Sequence, residues 1–187
     1  MATDFVKPSE RIKSLSAGAH NPDGQACALE YLSVARGIDW TDAPEKVRCF
    51  DLRLINDISV SDALRTEHLM PVLMAYDGSL DWPMERQQRV VERIIILTVQ
   101  RLVADLPGLP DTIREQCRKA TTLTEAARAA ARAAWAARAA EAAWAASEAA
   151  EAAEAAWAAS WAAEAAIASQ EKVFIVACQV WLDAVKE

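Results

Sequence analysis

The residues best suited to chemistry lie in an alanine-rich stretch near the C-terminus. Arg128, Arg132, Trp135 and Arg138 follow one another at intervals of four, three and three. On a helix the first three share one face, and Arg138 falls at its edge. An indole plane beside guanidinium groups suits a stacked aromatic ring together with an anion held by forked N–H donors. The chain carries a net charge of −7, so a basic face is where an anion meets a favourable potential. The same residues also admit a purely structural reading, in which the indole fills space between helices and the arginines pair with glutamates.

Other candidate chemistry is sparse. Cys27, Cys49, Cys117 and Cys178 are far apart, and His20 and His68 are not spaced with them as metal ligands would be. They read as ordinary thiols and isolated imidazoles, so no metal is expected. Asp39, Asp42 and Asp57 could serve as paired carboxylates, but loop and cap positions account for them. There is no phosphate-binding glycine loop, no HExxH and no ordered Ser/His/Asp set. These readings point to a protein without catalytic residues or cofactor.

The elements that must position these groups read as helices. The chain has 187 residues with only 5 Gly and 7 Pro, none of either after Pro110. Apolar residues recur at helical spacing and no alternating strand pattern survives. Residues 1–24 read as a flexible arm and 25–120 as a helical bundle. Within the bundle, one helix should end at Gly37, and Thr41 or Asp42 should cap the next. Ser59 or Ser61 should cap a helix through HLMPVLMAY, which Pro71 kinks or shortens and Gly78 closes. The run Met84–Leu106 is apolar nearly all round at its centre. It predicts a buried helix with Val91, Ile94, Ile95, Leu97 and Leu102 at the core. Pro107-Gly108-Leu109 stops it, and a shorter helix follows from Asp111 to about Lys119.

Residues 121–168 form the alanine tract, with 28 alanines among positions 122–168. Thr122 and Glu125 have the spacing of a capping box. Alanine is the strongest helix former, because its side chain has no rotamer freedom to lose. A single straight helix of this length would span roughly 70 Å, so the tract must protrude, break or pair. The other residues suggest how. They are nearly mirror-symmetric about Ala146: Arg128 mirrors Glu164, Arg138 mirrors Glu154, and Trp135 mirrors Trp157. The first half carries three Arg against two Glu, and the second carries four Glu and no base. Antiparallel pairing would set Arg against Glu and Trp against Trp, with Trp144, Glu154, Trp157, Trp161 and Glu164 as pairing residues. Either a hairpin bent near Ser147 or a dimer of long helices crossing at Ala146 would achieve this. Residues 169–187, with Ser169 as a possible cap, read as a closing helix whose stripe of Val173, Val176, Ala177, Val180 and Trp181 packs back on the bundle.

One stretch carries a resemblance. It comprises Cys27 on a helix ending at Arg36-Gly37, the loop Trp40-Thr41-Asp42-Ala43-Pro44, the pair Asn56-Asp57, and Met70-Pro71-Val72. Together with the alanine tract and closing helix, these residues resemble a family of uncharacterised actinobacterial and bacteriophage proteins, over about residues 25–187. The resemblance implies an all-helical fold and a phage-linked setting, and it brings no catalytic residues.

The expectation from sequence is therefore an all-α protein: a bundle, a long Ala/Trp-rich helix or helical hairpin, and a C-terminal helix. Acidic balance argues against general nucleic-acid binding. No run is apolar enough for a membrane span, and the first residues lack a signal-peptide pattern, which suggests a cytoplasmic protein. Two function classes follow. One is a non-catalytic binding protein that sequesters a nucleotide-like signal, another anionic small molecule or a defence-protein partner on the Trp/Arg face. The other is an oligomerisation module, a dimer in its simplest form, with no ligand. An ice-binding helix fits less well, because regular threonine spacing is absent.

Overall fold

In a computed structural model, the structure describes residues 12, 14–16, 25–35, 37, 55, 58–148 and 155–186; the side chains of residues 25, 35 and 140–169 lie outside that description. The fold is all-α. Its described helices are α1 (Ala28–Ala35), α2 (Met70–Tyr76), α3 (Met84–Arg101), α4 (Asp111–Lys119), α5 (Leu123–Glu148) and α6 (Ala155–Ala184). Two compact units are distinguished: residues 1–88 with 181–187, and residues 89–180. These units do not follow the change of composition at residue 121.

In the first unit, two short strands, β1 (Ser14–Leu15) and β2 (Gln25–Ala26), pair in parallel, with Ser14 opposite Gln25. Residues 1–24 were expected to be an arm, yet Ile12, Leu15 and Ser16 are buried. The reason is a side-chain anchor: the Leu15 N–H donates to Thr66 Oγ1 at 2.9 Å, and that hydroxyl donates to the Asp62 carbonyl at 2.8 Å. Cys27 precedes α1, and its N–H donates to the buried Glu30 carboxylate at 2.9 Å, half of a capping box. Gly37 follows α1 at φ 64°, a left-handed position that glycine adopts without a Cβ penalty. Ser61 caps the next turn, its Oγ accepting from the Leu64 N–H at 3.3 Å.

Pro71 interrupts the regular α geometry of the helical run Asp62–Tyr76. A π turn over Arg65–Leu69 comes first, and Pro71 sits in the opening turn of α2. There its missing N–H is harmless, and the wide turn relieves the clash its ring would make with the carbonyl four residues back. Tyr76 is fully buried at the end of α2. Its hydroxyl donates to the Trp181 carbonyl at 3.0 Å, and its ring lies 5.0 Å from that of Trp181 and 5.8 Å from that of Trp82. The Arg86 guanidinium covers the other indole, 4.0 Å from the Trp82 ring centre. The last residues of α6 thus contact the Tyr76 ring within this unit.

The second unit contains the helices that carry the candidate site. Here α3 departs from expectation. Ile96 and Leu97 are buried, as are Val90 and Val99, but Ile95 and Val91 are 41% and 43% exposed, and Ile94 and Leu102 are only half-buried. A run of four apolar residues covers every direction round a helix, so the run alone does not say which side meets the core. After Arg101 the chain tightens into a single 3-10 turn, Val103–Asp105, and Gly108 turns it at φ 73° into α4. The helix α4 then occupies the span expected from sequence.

The first half of the alanine tract is α5. Thr122 and Glu125 close the expected capping box: the Glu125 N–H donates to Thr122 Oγ1 at 3.3 Å, and the Glu125 carboxylate accepts from the Thr122 N–H at 3.2 Å. Ala126, Ala129 and Ala133 form the buried stripe of α5, packed with Ile96, Val99, Leu109 and Cys117 in one apolar cluster. Gln100 fastens the corner between α4 and α5, donating to the Ala120 carbonyl at 2.6 Å. The expected cap at Ser169 is overturned, because α6 runs unbroken through that position. Strong helix formers on both sides leave nothing there to end a helix.

Within the tract the structure describes α5 as far as Glu148 and α6 from Ala155; the choice between one long helix and a hairpin lies outside the described residues. The mirror pairing itself lies outside the described residues, since Glu154 is not described and neither are the side chains of Trp144, Trp157, Trp161 and Glu164. The same holds for Asp39, Asp42, Asp57, His20, Cys49 and the motif Trp40–Pro44. No helix among the described residues is long and apolar enough to cross a membrane.

Candidate functional site

The site is built on the outward side of α5 where it borders α4. Burial of Ala126, Ala129 and Ala133 fixes the rotation of α5. A helix advances about 100° per residue, so fixing those alanines inward turns Arg128, Arg132, Trp135 and Arg138 outward. All four are exposed, and Trp135 is 77% exposed. This is an unusual position for so large an apolar surface.

Two depressions lie along this border. The first, of about 470 Å³, runs from the α4–α5 corner to Arg132, with Glu115, Gln116 and Lys119 on one side and Glu125, Arg128 and Arg132 on the other. The second, of about 330 Å³, is lined by Ile113, Ala131, Arg132, Trp135 and Ala136 and is almost wholly apolar. Arg132 belongs to both, so a basic groove leads into an apolar shelf that ends at the indole. Arg138 lines neither.

The charges in the groove are unequally engaged. Glu115 is paired with Lys119 at 2.9 Å, and that ammonium holds its carboxyl below the usual glutamate range. Glu125 accepts from the Thr121 N–H at 2.9 Å, from the Thr121 hydroxyl at 3.0 Å and from the Thr122 N–H. These donors, the Thr121 N–H foremost, lower its pKa as well. Both carboxylates are therefore ionised and already served. Arg128 makes no hydrogen bond or ion pair among the described residues. Arg132 donates from Nη1 to the neutral Gln116 Oε1 at 2.6 Å, which orients the guanidinium without cancelling its charge.

Gln116 is the residue that sequence reasoning missed. It precedes Arg132 by sixteen positions on a different helix, and no local pattern announces such a partner. Elsewhere the chemistry is quiet. Cys27, Cys117 and Cys178 are buried thiols outside any disulfide, and burial raises the pKa of Cys27 and Cys117, which keeps those two protonated and unreactive. His68 is partly exposed and lies 3.8 Å from the Glu67 carboxylate. Among the described residues no group of three His, Cys, Asp or Glu could hold a metal ion.

Comparison of the chain with family models, curated proteins and solved structures returned no match.

Proposed function

We propose that this protein is a non-catalytic binding protein that captures an anionic, nucleotide-like small molecule along the α4–α5 border. The observation that carries this reading is the continuity of two unlike surfaces through Arg132. One side offers guanidinium groups whose charge is uncancelled, and the other offers an apolar shelf below an exposed indole. A phosphate-bearing aromatic compound is the ligand class with both features in one molecule. The resemblance to phage-linked proteins favours sequestration of a signal over its turnover, and the site offers no nucleophile paired with a general base.

A thermal-shift and calorimetry panel of linear and cyclic nucleotides tests the proposal. A ligand at 100 times its Kd should stabilise the fold by about 2.7 kcal/mol, and Arg132→Ala should abolish the shift at nearly unchanged stability. No shift and no heat across the panel would refute it. If the native mass also shows a dimer, the tract serves oligomerisation in place of capture, with antiparallel pairing covering Trp135.

A further inference from the structure

We infer that the ligand is a purine nucleoside diphosphate, lying along α5 with its base on Trp135, its first phosphate at Arg132 and its second at Arg128. This inference rests on the proposed binding face and adds an order and a phosphate count to it. The order follows from the lining. The apolar shelf surrounds Trp135, and both of its helical walls, Ile113 from α4 and Ala131 and Ala136 from α5, present only hydrocarbon to a bound ring. A two-ring base fills such a shelf better than a single ring and stacks more strongly on indole. Phosphate is poorly served there, because beyond Arg132 at its edge the shelf offers one neutral donor, the indole N–H of Trp135, and no second cation. Phosphates must therefore lie on the groove side, which Arg128 and Arg132 line and Arg138 does not.

The count follows from the donors that remain open. Lys119 is engaged with Glu115, and Glu125 is engaged with the Thr121 and Thr122 donors. Those donors occupy the Glu125 oxygens but leave its negative charge in the groove, so what is counted is open donors: of the three basic side chains, only the two guanidiniums, Arg128 and Arg132, have N–H groups with no carboxylate partner among the described residues. They stand one helical turn apart, about 6 Å along the axis, and Trp135 stands about 4.5 Å beyond Arg132. A lone phosphate next to the base meets Arg132 and leaves Arg128 idle. A second phosphate reaches along the groove to Arg128. Each guanidinium can grip a phosphate with two parallel N–H donors.

The test is calorimetry on the full chain with adenosine, its monophosphate and its diphosphate, repeated with the guanosine series and with uridine diphosphate. The diphosphate of at least one purine should bind about tenfold or more tighter than its monophosphate, the gain of one charged hydrogen-bonded contact. Arg128→Ala should bring the diphosphate to the monophosphate level and leave the monophosphate unaffected. Arg132→Ala should abolish the binding of both, and Trp135→Ala should weaken every purine. All three side chains are exposed, so far-UV circular dichroism should be unchanged in each variant. Equal binding of mono- and diphosphate, equal weakening of both by Arg128→Ala, or uridine diphosphate binding as tightly as the purines overturns the inference and leaves the binding face standing. Absence of heat from every compound overturns both.

Discussion

Ile95 and Ile96 are adjacent on α3, carry the same side chain and face different surroundings, so they make a matched pair. Ile96 is 7% exposed and packs in the cluster that holds the buried stripe of α5, whereas Ile95 is 41% exposed. Ile96→Ala removes three carbons from a site whose neighbours include Ala126, Ala129 and Ala133. Methyl groups on a rigid helix cannot swing in to fill the void, so the cavity persists. The expected cost is about 2–5 kcal/mol. Ile95→Ala loses only part of a transfer term of about 1.5–3 kcal/mol. The better helix propensity of alanine acts equally in both variants and cancels in the comparison. The difference should be about 2 kcal/mol or more, some 4–8 °C in melting temperature for a chain of this size. Urea and thermal unfolding, followed at the helical circular dichroism band, measure it. Equal losses, or a larger loss at Ile95, would mean that α3 is turned differently and that the α4–α5 border is not held as described.

Three further outcomes are expected. Thr122→Ala removes the cap of α5 and should cost about 1 kcal/mol, read from the urea midpoint. The Glu125 pKa is lowered in the folded state, so its contribution is present above the unfolded glutamate pKa and lost as pH falls through the folded one. The midpoints of wild type and Glu125→Gln should therefore differ at neutral pH and converge at acid pH, below about pH 4; a constant gap would refute the cap assignment. Tyr76→Phe leaves the Trp181 carbonyl without its 3.0 Å donor and should cost about 1 kcal/mol. Because the ring packing is kept, no cost at all would show that this bond contributes nothing.

What could be read from sequence was what is decided locally. Gly37, Gly78 and Gly108 all take positive φ and mark ends of elements as expected. The Thr122–Glu125 box, the Ser61 cap and the span of α4 depend only on residues within a turn of one another. The Trp/Arg stripe was legible too, because helical spacing alone groups Arg128, Arg132 and Trp135. What failed needed tertiary information. The rotation of α3 depends on where the alanine stripe of α5 meets it, and the four-residue apolar run offers no preferred side. The Thr66 anchor that buries Leu15 spans 51 residues. Gln116 reaches Arg132 only because α4 and α5 pack together. Ser169 fails as a boundary for the opposite reason: a residue that suits a cap stands where nothing opposes helix continuation.

The division of labour round α5 bears on how such a protein can change over generations. The residues that seat the helix, Ala126, Ala129 and Ala133, are separate from those that look outward, Arg128, Arg132 and Trp135. Inward positions tolerate almost nothing, since any side chain larger than methyl would force the helices apart. Outward positions contribute little to seating, and the flanking alanines keep the helix formed whatever stands there. Drift and selection can therefore rewrite the outer stripe at low risk to folding. A lineage under pressure from a changing target could re-aim this surface by exchanging three residues on an otherwise fixed rail.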